Sequence, residues 1–474
     1  ELSHLQIKSG NLKYLIEEKI AIAAEAQLQA ERLNVSVESL EYKIPSKQAK
    51  LDGNFKGRSG DGGNYFYFTG QKGVWDEKAG RLKAEELTIS LPWLQIQGQG
   101  GEVFFEKGTG NFKNIKLYSF CYIKARDERK KAEWQEIEVL SNRVEIGNRD
   151  ELIIVHSNGK FELNGKGHDS AMQATGKNLC FNFNKQKILE KIRASYGYFK
   201  FIRKGGQEVA LNGEEVEYET AKGDVFLRGQ VLGLFKDYKI EADELRFNLQ
   251  DGSFISSAFL MRCRPSFFSE KILLFNQEKD IYLSGEKITG SEELVLASGE
   301  VRVWQENQML RAGKMNLSRK KANLFLEEKV QVNCSKKSGA SGNKKIFLTA
   351  DRVHFLFRDQ RIQAEGRVAM DFADLGFQGP KMMINLDSAD EEKLISLELQ
   401  GASEVKWKEY LARGKRIIYQ ADKESLEISA SPELITKEGH RVEAAKLTLF
   451  LADDRILVEN REKERSKVII VGGK

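Results

Sequence analysis

The sequence predicts an all-β chain: an elongated β-jellyroll or solenoid of repeated antiparallel strand-turn-strand units with a hydrophobic groove. Three observations carry that prediction. Apolar residues alternate with polar ones at period two, small residues punctuate the alternation at recurring intervals, and glycine is abundant while proline is scarce. Period-two alternation is the mark of strands with one buried face. The 5 prolines and 41 glycines suit long hydrogen-bonded ladders interrupted by tight turns. With 41% hydrophobic and 31% charged residues over 474 positions, large spherical cores are hard to build and a thin, extended one fits better. The 75 basic and 70 acidic residues are spread along the chain for a net +5, so no domain-sized basic face points to nucleic acid.

The repeat is clearest in the second half. Ala350-Asp351 leads into Val353, Phe355 and Phe357, a turn follows at 358–361, and Ile362, Ala364 and Gly366 carry the return. Ala242-Asp243 does the same with Leu245, Phe247 and Leu249 before a turn at 250–252. Arg413-Gly414 leads to Ile417 and Tyr419, and Ala444-Ala445 to Leu447, Leu449 and Leu451. Upstream, Gly10, Gly70, Gly98, Gly176, Gly213, Gly285, Gly313 and Gly379 read as further openings of such units. From Gly213 the steps between openings run 30, 42, 28, 38, 28, 35 and 31, and neighbours sum to a super-period close to 66. Two hairpin units then make one layer of two facing sheets, with about fourteen units in all.

Three stretches interrupt the pattern. Residues 21–30 (AIAAEAQLQA) have helix propensity, yet Ile20, Ile22, Ala24, Ala26 and Leu28 alternate strictly, which favours a strand. Residues 124–131 (KARDERKK) read as a solvated loop, and the units from there to Lys160 match poorly, which suggests a boundary between a module at 1–128 and one at 129–474, or one continuous superstructure. Residues 334–345 (CSKKSGASGNKK) read as a mobile loop.

Chemistry is sparse. His4, His156, His168, His354 and His440 are isolated, with no HExxH or HxH spacing. No phosphate-binding glycine loop or nucleophile elbow occurs. The carboxylate pairs Glu85-Glu86, Glu214-Glu215, Glu292-Glu293 and Glu327-Glu328 read as solvated pairs at turns or on polar strand faces. Neither enzymatic activity nor a metal or other cofactor is expected. Cys121, Cys180, Cys263 and Cys334 form no CxxC pair and stand as either two long-range disulfides or four buried thiols. No apolar run approaches the length of a spanning helix. The chain begins at Glu1 without methionine, which points to a removed segment, whether signal peptide, membrane anchor or expression tag.

If the alternation faces inward, the groove is lined by Leu179, Phe181, Phe183, Leu245, Phe247, Leu249, Val353, Phe355, Phe357, Met382, Ile384, Leu386, Leu447, Leu449 and Leu451. Small partners on the return strands (Ala125, Ala364, Ala430, Ser257) would leave space between the sheets. A dozen buried methylenes gain on the order of 10 kcal/mol, so such a trough could hold an acyl chain. The competing reading is a structural solenoid or surface adhesin with a packed, dry interior.

Residues 350–368 (ADRVHFLFRDQRIQAEGRV) and 240–261 (IEADELRFNLQDGSFISSAFLM) resemble the OstA-like repeats of the lipopolysaccharide-transport bridge proteins, whose usual members are LptA, LptC and the periplasmic part of LptD. The resemblance runs from about residue 213 to 460 and is weaker before that, and the chain holds about twice the repeats of one bridge unit. It implies an LptC-like first module and an LptA-like second, a periplasmic location with the removed N-terminal segment as a candidate tether to the inner membrane, and acyl chains of lipopolysaccharide or a similar lipid in the groove. It also implies partners at an inner-membrane ABC transporter and an outer-membrane translocon, and edge-to-edge association through terminal strands such as 447–451 and 468–471.

Overall fold

An ordinary strand runs about 5–6 residues, so alternation sustained over 11 to 15 residues needs a device that keeps one face inward. In the computed structural model the strands do run that long, as in Ile20–Ala30 and Leu152–Lys166, and most of the long ones turn a corner at their middle. The structure describes the chain except residues 1–4, 31, 61–64, 107–110, 127–133, 150–151, 168–169, 204, 269–274, 277, 292, 338–342, 388–393, 460–466 and 470–474. Thirty-two strands and one short 3-10 turn make up its regular structure. No helix among these residues is long and apolar enough to cross a membrane.

The chain forms two compact units, Glu1–Lys236 with Arg246–Gln250, and Asp237–Leu245 with Asp251–Lys474. In the first, successive strands pair antiparallel with their neighbours, from Ile20–Ala30 on Leu33–Lys43 through to Glu208–Glu219 on Asp224–Leu234. The second repeats the arrangement from Phe254–Cys263 on Ile281–Gly290 to Leu394–Trp407 on Tyr410–Gln420. Beyond it, Ser425–Ser429 and Glu433–Ile435 lie end to end along Tyr410–Gln420 and together act as one bent strand.

The corner is written in the burial pattern. Along Ile20–Ala30 the buried residues are Ala21 and Ala23, then Ala26 and Leu28; along Gln308–Ser318 they are Leu310 and Ala312, then Met315 and Leu317. The alternation skips a residue at mid-strand, so both halves of the bent strand keep their apolar side chains on the inner face. Ladder registers shift at the same places, between Gln97 and Gly100, Ser298 and Val301, and Glu327 and Val330. The inserted residue takes a left-handed backbone, as at Glu25 (φ 46), Glu86 (φ 47), Tyr196 (φ 49) and Glu300 (φ 45). A carboxylate from the adjacent strand often folds over that corner. Asp351 lies across Gly366 (φ 73), where a β-carbon would stand 2.5 Å from Asp351 Oδ2, and Arg367 Nε donates to the same carboxylate at 3.0 and 3.2 Å. Glu38 over Gly53, Glu214 over Gly229 and Glu286 over Gly299 repeat the arrangement.

These corners correct the reading of the small residues. Gly98, Gly213, Gly285, Gly313 and Gly379 open no unit; each lies within a strand near its bend. Of the two placements expected for the carboxylate pairs, Glu85-Glu86, Glu214-Glu215 and Glu327-Glu328 take the polar strand face, at mid-strand rather than at turns, while Glu292 lies outside the described residues. The strand at 21–30 is as expected, but its corner reverses the face read for its first half: Ala21 and Ala23 are buried and Ile22 and Ala24 are exposed. The two ends of the loop expected over 334–345 are ladder, since Asn323–Lys337 and Asn343–Leu356 pair as far as Lys337 with Asn343, and backbone pairing there overrides the composition; residues 338–342 lie outside the described residues. Lys124, expected in a solvated loop, is on a strand and pairs with Glu136 at 2.9 Å and Glu138 at 2.6 Å. Residues 127–131 and the 128/129 boundary lie outside the described residues. The poorly matching stretch that follows is two long strands, Glu136–Arg149 and Leu152–Lys166. All four cysteines are free thiols, which removes the disulfide alternative, and burial pushes Cys121 up to about 11 and Cys263 higher still.

Two outcomes follow from the corners and their polar fastenings. A β-carbon on Gly101 would stand 2.8 Å from the Lys116 carbonyl oxygen and 2.5 Å from Leu117 Cδ2, so Gly101→Ala is expected to cost about 1–3 kcal/mol of stability, measured by urea unfolding. Asp224 is 3% exposed; burial alone would raise its carboxyl, but hydrogen bonds from Arg246 at 2.7 Å and Asn248 at 2.8 Å outweigh that and hold it below the usual range. A depressed carboxylate adds stability above its unfolded value of about 3.9, and that stability is lost as pH falls through the folded value. Asp224→Asn should therefore lower stability near neutral pH and flatten the loss of stability below about pH 4, with an unchanged acid limb in denaturant titrations counting against the fastening.

Candidate functional site

The bend brings together two halves of one sheet. Fourteen of the fifteen residues expected to line the groove are at most 8% exposed, from Val353, Met382, Leu447 and Leu449 at 0% to Leu249 at 8%; Leu451 is half-buried. Where their strands bend, they belong to the half beyond the corner, as Leu179, Phe181 and Phe183 do in Ala171–Phe183 and Met382, Ile384 and Leu386 in Leu375–Leu386. In each unit they form one wall of that unit's interior. The facing wall was missed by the sequence reading: Phe199, Phe201, Phe259, Met261, Met370, Phe372, Phe377, Val405 and Trp407 are all buried on the other half-strands. The signal that could have found them is the two- or three-residue gap in the alternation, as in Phe66-x-Phe68-x-Gly70-x-x-Gly73-x-Trp75.

Only one of the small partners stands on the inner face. Ala364 faces inward at 1% exposure, whereas Ala430 is an exposed corner residue with φ 58, and Ala125 and Ser257 are only half-buried. Three clefts of about 730, 530 and 520 Å³ lie along outer corners and are lined by groups such as Gln27, Thr69 and Gln97, Arg193 and Glu217, and Gln378 and Arg413. None of the fifteen residues lines them.

How the interior is closed follows from its rings. Within each unit the described ladders join each long strand to its sequence neighbours, so the turns fall on two margins of each sheet, and folding at the corners carries the margins together. Phe201 stands opposite Val209 on the neighbouring strand, and Tyr218 ends that same neighbour, which if straight would place it ~30 Å from Val209. The Phe201 and Tyr218 ring centroids are nevertheless 5.5 Å apart. In the first unit the same seam is crossed by Phe66 against Phe112 at 5.5 Å and Phe105 at 5.9 Å, and by Trp93 against Phe183 at 4.9 Å. Buried Trp134 Nε1 donates to Tyr218 Oη at 2.8 Å, and Arg203 donates to the Leu249 and Gln250 carbonyls at 2.6 and 3.1 Å. In the second unit Tyr238 meets Phe254 at 5.7 Å, Phe372 meets Tyr419 at 6.0 Å, and the Arg319 guanidinium lies 4.4 Å from the centre of the Phe267 ring. The described strand ladders join sequence neighbours and the short terminal strands; none crosses the seam.

The outer faces carry charge. Lys191 and Arg193 share Glu217, both at 2.6 Å, and Arg416 reaches Glu398 at 2.9 Å. Among the described residues no group of three or more His, Cys, Asp or Glu is placed to hold a metal; His354, whose imidazole burial keeps below its ordinary value, packs on Phe325 at 5.5 Å. His4 and His168 lie outside the described residues.

Removing the Tyr218 hydroxyl would strand a buried indole N–H, so Tyr218→Phe is expected to cost about 1–3 kcal/mol, with Trp134 fluorescence reporting the change; unaltered stability and emission would show that the seam does not depend on that bond.

Residues 286–455 match the family model described as LptA/(LptD N-terminal domain) LPS transport protein. No curated protein matches the chain. Among solved structures, it is similar to LptH, the LptA homologous periplasmic component of the lipopolysaccharide transport device from Pseudomonas aeruginosa, at 14% identity over 27% of this chain and 95% of that one, with a TM-score of 0.25. The stretch that resembles OstA-like repeats in sequence thus includes residues 286–455, the part of the chain that matches the model of the LptA/LptD N-terminal lipopolysaccharide-transport family.

Proposed function

We propose that this chain is a non-enzymatic, periplasmic component of lipopolysaccharide transport whose apolar interior receives acyl chains and passes the lipid from an inner-membrane ABC transporter toward an outer-membrane translocon. The observation that carries the reading is the seam. The interior of each unit, walled by residues such as Phe247 in the first and Phe355 and Leu449 in the second, is held shut along one side by rings and a few side-chain hydrogen bonds, with no main-chain ladder across it among the described residues. Separating the margins forfeits about 0.5–1.5 kcal/mol per ring pair beyond the buried area, while each acyl methylene admitted returns about 0.8 kcal/mol. An acyl chain can therefore replace the cross-seam contacts without unzipping the sheet. Lys and Arg at the margins, Arg203 and Lys320 among them, then face anionic head groups.

The ends of the sheet support the partner half of the reading. Asn11–Leu15 pairs with Ile20–Ala30 alone among the described ladders, and its Leu12 and Tyr14 are 56% and 48% exposed. An unpaired, apolar edge is suited to receiving a strand from a neighbouring component or a second copy. At the other end Leu457 is 44% exposed, and the proposed contact region at 468–471 lies partly outside the described residues.

One observation favours a second reading. Side chains at most 8% exposed are also what a packed structural solenoid would show. Photo-crosslinking in cells separates the two: a photoreactive residue at Phe247, Phe355 and Leu449 is expected to yield lipopolysaccharide adducts at all three positions. A folded, correctly located protein with adducts at none would replace the conduit with the scaffold.

A further inference from the structure

A group of aromatic rings closes one stretch of the seam in the first unit. Phe66 and Trp75 stand near the two ends of Phe66–Asp76, which if straight would hold them ~30 Å apart. Both nevertheless touch one ring, Phe105 at the end of Leu94–Phe105, with centroids 5.9 and 5.2 Å away. Phe68 lies 6.2 Å from Phe105, and Phe112 lies 5.5 Å from Phe66. Phe66, Phe68 and Phe112 are at most 5% exposed, so the place is as apolar as any along the seam.

One polar atom is shut in with these rings. Trp75 is 7% exposed, and its indole Nε1 is buried without an acceptor among the described residues. The Phe105 ring stands at 74° to the indole, but an aromatic face is a weak acceptor at best. The other buried indole of this seam differs: Trp134 Nε1 donates to Tyr218 Oη at 2.8 Å. Burying a donor without an acceptor is costly, and native proteins seldom tolerate it without a use for the group. A phenylalanine at position 75 would bury a ring in the same place without that cost.

We propose that Trp75 is a specificity-determining residue of the first unit: its indole N–H donates to the carbonyl oxygen of the ester or amide at the head of an acyl chain lodged among these rings. The inference rests on the reading that the interior takes acyl chains, and it adds the atom that registers where such a chain sits. Rings alone hold an alkyl tail in proportion to the area buried and let it slide. A single directed hydrogen bond fixes the depth of the chain and separates an acyl chain from a plain alkyl chain. Because the donor is already out of water in the free protein, forming the bond requires no further desolvation on the protein's side, and its strength appears in the affinity.

The test uses the full chain and two lysophospholipids with the same phosphocholine head group and chain length, one ester-linked and one ether-linked, so that they differ only in the carbonyl. Binding is measured by isothermal titration calorimetry. Wild type is expected to bind the ester lipid roughly fivefold more tightly than the ether lipid. Trp75→Phe is expected to bind both with the affinity of the ether lipid. If Trp75→Phe fails to fold by circular dichroism, 3-benzothienylalanine installed at position 75, which keeps the bicyclic shape and has no N–H, decides. Equal binding of the two lipids by wild type, or an ester preference that survives in a folded variant, overturns the role of Trp75 and leaves the conduit standing. Binding of neither lipid also overturns that role, and if lipid adducts at Phe247, Phe355 and Leu449 are absent in cells as well, the conduit falls with it.

Discussion

A β-strand can bend sharply and still keep its apolar side chains on one face only if the alternation slips by a residue at the bend. That slip is the constraint on which the rest depends. It places Ala23 and Ala26, or Ala312 and Met315, on the same interior although they are three residues apart, and many of the corners carry a left-handed residue or a glycine. Without it, half of each long strand would present its polar face to the inside.

The two ways in which the sheet is held together differ in kind. Neighbouring strands are joined by ladders of main-chain hydrogen bonds that run their whole length, each bond worth about 1 kcal/mol net and all of them cooperative. The margins are joined by isolated contacts: an indole to a phenol in the first unit, a guanidinium on a phenyl ring in the second. The easiest deformation of such a body is therefore to part along the seam and hinge at the corners, with the ladders intact. A transport role asks for that deformation, and a static scaffold has no use for it.

Much of this was legible in the sequence. Period two gave the strands, including 21–30 where helix propensity argued otherwise, because tertiary burial of Ala21, Ala23, Ala26 and Leu28 outweighs propensity. The inward residues from Leu179 to Leu449 were readable as one apolar wall for the same reason. What misled was the corner. A glycine or alanine followed by an acid looks like the start of a unit, yet Ala350-Asp351 lies within Asn343–Leu356, and the acid is there to cover a glycine on the next strand. Reading each strand from its corner onward yielded half a strand and one wall, and Phe199, Phe377 and Trp407 went unseen. The seam was beyond reach of any pattern, because Trp134 and Tyr218 meet across 84 positions of sequence. The expected loop at 334–345 failed at its two ends for a simpler reason: composition was weighed where a neighbouring strand supplies the hydrogen bonds.

The alternation of turns between two margins also governs how such a chain can grow. Each added hairpin contributes one turn to either margin and two corners to the fold line, so every strand downstream keeps its orientation and its partner. Adding a single strand would reverse the direction of everything after it; placed between Phe372 and Tyr419, it would carry Tyr419 to the margin of Phe372 and leave both without a counterpart. Lengthening is therefore quantised in pairs of strands. The super-period close to 66 residues is the trace of that parity rule in the sequence.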